Sequence, residues 1–325
     1  AWGGPQMHRP GACASWSEPK FLPLSFRWKA SPSRRFWRHA EWLAGAGGRR
    51  AEIRGGAFSD ADLRHADLRR AVFTGTAFLD ADLSHADLSG ATLYHCDFRN
   101  ATLDRSDFTG ADLQGLNFQR CLMTDANLSE ARMTNLRCQE ANFRDCRMYE
   151  ARMQGCDWTR ANLNAVYLNR TVLSNCSFTE SNLERCNLLL ARLHSCRLVA
   201  ARLVDAILTS AQASGCDFQG ADMSGARLGE SNLAQNNFSR AILSSCDFHE
   251  SNLSTADFTG AMLLNAAFRD ANVMATDFRG AVLEGARGLT GSQLTSAVTS
   301  HTTVLPSGTR GPFVPGKYSE MPVFR

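Results

Sequence analysis

From Ile53 to Leu283 a large apolar side chain recurs at every fifth position, in one unbroken register of 47 positions. Leu, Phe, Met, Ile, Val or Trp fill nearly all of them, and the exceptions in size are Cys138 and Ala213. Two residues before each large side chain a small one usually stands, as in "ADL" at 61–63, "CDF" at 96–98, "ANF" at 141–143 and "SNL" at 181–183. The unit is therefore small, polar, large, then two variable residues. On an α-helix five residues advance about 500°, which spreads successive large side chains around the axis. On a flat strand an odd spacing sends alternate ones to opposite faces. A chain that turns by the same angle every five residues buries both the small and the large side chain toward one axis and leaves three outward.

The aromatics give the number of units per turn. Phe58, Phe78, Phe98, Phe118, Phe178, Phe218, Phe238, Phe258 and Phe278 are spaced by multiples of 20 residues, with Trp158 in one gap and Cys138 and Leu198 in the others. The remaining columns hold only five Phe between them. Four units make one coil, and one side stacks aromatics along the axis as a core ladder. Coils joined by β-type hydrogen bonds rise about 4.8 Å each, so about 12 coils form a rod on the order of 55 Å long.

The repeats "ADLRHADLRR", "ADLSHADLSG" and "ANLNA" closely resemble the A(D/N)LXX motif of the pentapeptide-repeat family. The resemblance covers residues 51 to 287 and implies an all-β solenoid: a right-handed quadrilateral parallel β-helix with short helical caps. It specifies fold rather than role, because this architecture hosts many functions.

Two flanking segments break the register. Residues 1–50 hold five of the six tryptophans and form a basic extension. A helix starting at Ser33, with Phe36, Ala40, Leu43 and Ala44 on one face, is expected to end at the glycines. The segment around Trp28, Arg34, Arg35, Phe36 and Trp37 is either a docking element or the N-terminal cap, and its arginine-rich, acid-poor composition also fits an organellar presequence. Residues 288–325 are expected to form a capping helix, opened by Thr290 or Ser292 with Leu294, Ala297 and Val298 on its buried side, followed by an extended tail.

Charge is distributed unevenly. Residues 1–50 carry nine Lys or Arg against two acids, whereas residues 51–287 carry 23 Arg, no Lys and 29 acids. Within the repeats the balance runs −4 over 51–120, +2 over 121–210 and −4 over 211–287. The positive waist comes largely from Arg132, Arg137, Arg147 and Arg152, expected to wrap the four sides, then Arg192, Arg197 and Arg202 three coils further on. Each replaces the motif's Asp or Asn at an outward position.

Other candidate chemistry is weak. Nine of the 11 cysteines occupy the small inward position, and Cys156, Cys176, Cys196 and Cys216 fall on consecutive coils of one column. A linear ladder offers no tetrahedral metal geometry and holds its Cβ atoms too far apart for the usual disulfide. Buried free thiols favour a reducing compartment, although the compartment is not fixed by sequence. Repeated outward acids, such as Asp62, Asp67, Asp82, Asp87 and Asp107, arise from the repeat itself. No nucleophile, base and oxyanion set converges, and no apolar run spans a membrane. No enzyme activity, cofactor or metal is expected. The leading expectation is a scaffold or adaptor rod that binds a protein partner of unknown identity, with the seven waist arginines as its candidate surface. Family members that protect DNA gyrase by imitating DNA supply one alternative, which the arginine bands oppose because a DNA-binding cradle prefers anions. Direct nucleic-acid binding through those bands is another.

Overall fold

The computed structural model describes residues 33–314. Helix α1 (Ser33–Leu43) leads into the first coil, where the backbone N–H of Ala51 donates to His39 Nδ1 at 3.0 Å. From there the chain winds as an all-β parallel solenoid with four faces. The first face carries three-residue strands at 20-residue intervals: β1 (Glu52–Arg54), β2 (Val72–Thr74), β3 (Thr92–Tyr94), β4 (Asp112–Gln114), β5 (Arg132–Thr134), β6 (Arg152–Gln154), β7 (Val172–Ser174), β8 (Arg192–His194) and β9 (Gln212–Ser214). They pair in sequence order, always parallel and in register, as Glu52 with Val72 and Ile53 with Phe73. The other three faces, beginning at Ala57, Asp62 and Asp67, are built from single parallel bridges at the same spacing.

Every fifth residue from Gly55 to Gly285 turns a corner with positive φ: 35 are not glycine and only 12 are. A non-glycine residue in that region costs about 1 kcal/mol. Each five-residue unit also buries a large apolar side chain, which stabilises by about 1.5–3 kcal/mol, and ties its outward residue to the next coil. Leu63 N–H donates to Asp82 O at 2.7 Å and Asp82 N–H to Ala61 O at 2.9 Å, and this pair of bonds recurs along the rod. Burial therefore outweighs the corner strain unit by unit.

The aromatic ladder stacks as its spacing predicts. Ring centroids lie 4.6 Å apart between Phe78 and Phe98, 5.1 Å between Phe98 and Phe118, and 4.8 Å between Phe218 and Phe238. At Cys138 the ladder loses a ring, and Phe143 on another face fills the space. Its edge meets Phe118 at 6.3 Å and Trp158 at 4.8 Å.

Nine strands are fewer than the about 12 coils expected from the spacing, because the first face changes its corner after β9. Beyond it the outward residues are Asn232, Asn252 and Asn272, whose side chains form an amide ladder at 3.1 and 3.2 Å. Each also accepts the N–H two residues on, as Asn252 Oδ1 does from Ser254 at 3.1 Å. The Ala256 N–H closes the turn onto Leu253 O, the closure used on the other three faces, and only single bridges remain.

At the far end Thr290 caps helix α2 (Gly291–Ser296) through a reciprocal bond pair with Gln293, and Leu294 is buried. Val298 departs from the expected buried side. The helix has ended by then, and Val298 faces outward in a bridge to Asp277.

Candidate interaction surface

The motif's Asp or Asn has a structural task. On the second, third and fourth faces its side chain accepts the N–H two residues later and holds the corner: Asp157 from Thr159 at 3.0 Å, Asn117 from Gln119 at 3.2 Å, Asp107 from Thr109 at 2.8 Å, Asp222 from Ser224 at 3.1 Å. The outward acids are thereby corner braces, and among the described residues no three metal-ligating side chains converge.

Arginine has no acceptor atom and cannot make this bond. Arg137 and Arg197 stand in the column of Asn117 and Asp157, Arg147 in that of Asp107, and Arg202 in that of Asp222. Each of the four forgoes a bond worth about 1 kcal/mol. Arg132, Arg152 and Arg192 lie on β5, β6 and β8 of the first face, with Val172 of β7 between the last two. Arg132 and Arg152 are direct register partners, which sets like charges side by side.

All seven arginines are exposed. The bands do not encircle the rod as expected. Five of the seven sit on the adjoining first and second faces, only Arg202 is on the third and Arg147 on the fourth, and Asn142 holds the third face at the level of the first group. Only Arg202 has an acidic partner within 4.0 Å among the described residues, Glu184 at 2.6 Å. Some arginines elsewhere are engaged, Arg64 with Asp62 at 2.7 Å, Arg69 with Asp67 at 2.8 Å and Arg99 with Asp97 at 2.8 Å, whereas Arg54, Arg70, Arg185, Arg227, Arg240 and Arg287 likewise have no carboxylate within 4.0 Å among the described residues. The hydrogen bond from Arg64 holds the Asp62 carboxyl below its ordinary range. The waist thus presents six guanidinium groups with no carboxylate within 4.0 Å, although Asp112, Asp157 and Asp217 stand in register beside Arg132, Arg137 and Arg197.

Beside them the first face is indented. A groove of about 810 Å³ runs across β7, β8 and β9, lined by Val172, Leu190, Arg170, Arg192, His194 and Ser214 among others. Its lining includes Ala213, a small residue at a position where every other coil of this face buries a large one. The next coil answers with a buried Asn236, whose side-chain amide donates to Ala213 O at 3.1 Å and whose Oδ1 accepts the Cys216 N–H at 2.7 Å. Sequence reasoning registered Ala213 only as an exception in size and missed Arg170 and His194. Their signal was a 20-residue spacing around that exception.

Trp28 lies outside the described residues, and Arg34, Arg35, Phe36 and Trp37 belong to α1 with side chains outside them. No described helix is long and apolar enough to cross a membrane.

Comparison with known proteins places this geometry. Family models described as "Pentapeptide repeat region" and "Pentapeptide repeats (8 copies)" match residues 51–128 and 101–174, and residues 186–225, 221–260, 237–273 and 251–287, respectively. Among solved structures, the plasmid-mediated fluoroquinolone resistance protein QnrB1 is 18% identical over 65% of this chain and 91% of its own, with a TM-score of 0.35. HetL, involved in heterocyst differentiation regulation in the cyanobacterium Nostoc, is 22% identical over 83% of this chain and 96% of its own, at 0.24. A pentapeptide repeat protein of the Arabidopsis thaliana thylakoid lumen is 22% identical over 44% of this chain and 86% of its own, at 0.21. No curated protein matches the chain. With its unbroken five-residue register, four stacked faces and family-model matches over most of its length, the chain belongs to the pentapeptide-repeat family.

Proposed function

We propose that this protein is a non-enzymatic scaffold whose rigid rod docks an acidic protein partner on the first and second faces of its waist. The observation that carries the reading is the set of Arg132, Arg137, Arg152, Arg192 and Arg197: exposed, without acidic partners, and at two of the five positions standing where the repeat otherwise braces its corner. A rod with its core filled by side chains supplies a fixed array of charges at coil spacing, which suits recognition and offers no enclosed cleft for chemistry.

The test is quantitative crosslinking and affinity capture from native lysate, comparing the wild-type chain with a variant carrying Arg132→Ala, Arg152→Ala and Arg192→Ala. A specific partner retained by the wild type and lost by the equally folded variant supports the reading. Equal capture by both refutes it. If the captured species is nucleic acid, removed by salt or nuclease, the partner class is wrong and the arginines serve phosphates instead.

A further inference from the structure

Ten cysteines are buried and free among the described residues. Six of them, Cys96, Cys121, Cys138, Cys146, Cys186 and Cys246, have no cysteine at the same position in an adjacent coil. Cys156, Cys176, Cys196 and Cys216 differ, since they occupy one position in four successive coils. Their thiols are set alike. Each Sγ points to the carbonyl oxygen two residues before it: Gln154 at 3.6 Å, Ser174 at 3.5 Å, His194 at 3.6 Å and Ser214 at 3.6 Å. Equal placement in every coil implies that the sulfurs repeat at the coil rise, about 4.8 Å. Interaction with the neighbouring thiols raises the pKa of Cys176 and lowers that of Cys196.

This spacing selects a coordination number. No three ligating groups converge among the described residues, so a three- or four-coordinate ion has no seat. Two collinear metal–thiolate bonds of about 2.3 Å span about 4.6 Å, close to one coil rise. Thiolate sulfur prefers soft cations. The surroundings are apolar and hold no counter-ion, so a neutral product is favoured over a buried charge. We propose that the Cys156–Cys216 ladder is a site for soft, linearly coordinating d10 cations, of which mercury(II) is the simplest, each bridging two thiols of adjacent coils. The step balances as Hg²⁺ plus two R–SH giving R–S–Hg–S–R plus two H⁺. Two S–Hg bonds form, two S–H bonds break, both protons leave to solvent and no electron is transferred. Four thiols hold two ions.

Access is built in. The carbonyls touched by Cys176, Cys196 and Cys216 belong to Ser174, His194 and Ser214, and all three residues line the groove on the first face. The ladder thus lies beside an indentation of the surface, and its occupation by two ions staples β6 to β7 and β8 to β9.

The experiment uses the full chain with Cys13→Ala, reduced, titrated with mercury(II) chloride and washed with a small competing thiol. Native mass spectrometry and X-ray absorption then report stoichiometry and coordination. The expected result is two more retained ions than in the variant Cys176→Ala/Cys196→Ala, whose remaining ladder thiols lie about 14 Å apart. Two-sulfur linear coordination and a melting temperature that rises with metal are also expected. The variant Cys186→Ala/Cys246→Ala, which removes isolated cysteines, keeps both ions. Equal retention by the ladder variant, loss of the ions in the control variant, or three or four sulfurs per ion overturns the proposal.

Discussion

Restoring the family's corner brace at the waist is expected to make the rod more stable. At Arg137 and Arg197 the same column supplies the template: Asn117 Oδ1 receives the Gln119 N–H at 3.2 Å and Asp157 Oδ1 the Thr159 N–H at 3.0 Å. The substitutions Arg137→Asn and Arg197→Asn each introduce one such bond, worth about 1 kcal/mol net. Against this stands the poorer β propensity of asparagine, a few tenths of a kcal/mol on a scale spanning about 1 kcal/mol. Neither arginine has an acidic partner within 4.0 Å, so no ion pair is lost. The expected gain is about 0.5–1 kcal/mol per site. For both together that is roughly 1–2 kcal/mol, or a rise of about 2–8 °C in melting temperature for a domain of this size. Calorimetry and urea titration of the single and double variants measure it, with Arg→Ala at the same positions separating the added bond from the deleted charge. If asparagine stabilises no more than alanine at both sites, the brace contributes nothing there and the argument that arginine displaces a structural residue fails.

Other expectations follow from the same geometry. Ala165 turns a corner at φ 55°, so Ala165→Gly is expected to stabilise by about 1 kcal/mol; the reverse change Gly225→Ala is expected to destabilise, since its methyl group would lie 2.5 Å from Asp205 Oδ1, and denaturant midpoints read both. Cys138 makes room for Trp158 and Phe143, so Cys138→Phe alone is expected to lose about 1–3 kcal/mol by overpacking and to be largely rescued by adding Trp158→Phe, a coupling that a double-mutant cycle detects. Burial lowers the His39 pKa below its ordinary 6.5, and the neutral ring accepts the Ala51 N–H. A depressed folded value means that this stability is complete above pH 6.5 and is lost as pH falls below it. The protection factor at Ala51, the ratio of the intrinsic exchange rate to the observed one at the same pH, is therefore expected to fall below pH 6.5, and a pH-independent protection factor refutes the assignment.

The sequence by itself determined the repeat architecture. Five-residue burial has a single geometric solution, and the 20-residue aromatic spacing fixed four sides, because those patterns are local and are copied along the chain. The tertiary structure alone decided how exceptions are absorbed. The vacancy at Cys138 is filled from another face by Phe143, and the deficit at Ala213, which lines the groove, is met by Asn236 one coil on. The arginine bands likewise became a two-face surface only when residues 20 apart were brought into one column. These outcomes depend on contacts between coils, where neighbours in space are separated by 18–25 residues in sequence and compete for the same volume, so no five-residue rule contains them.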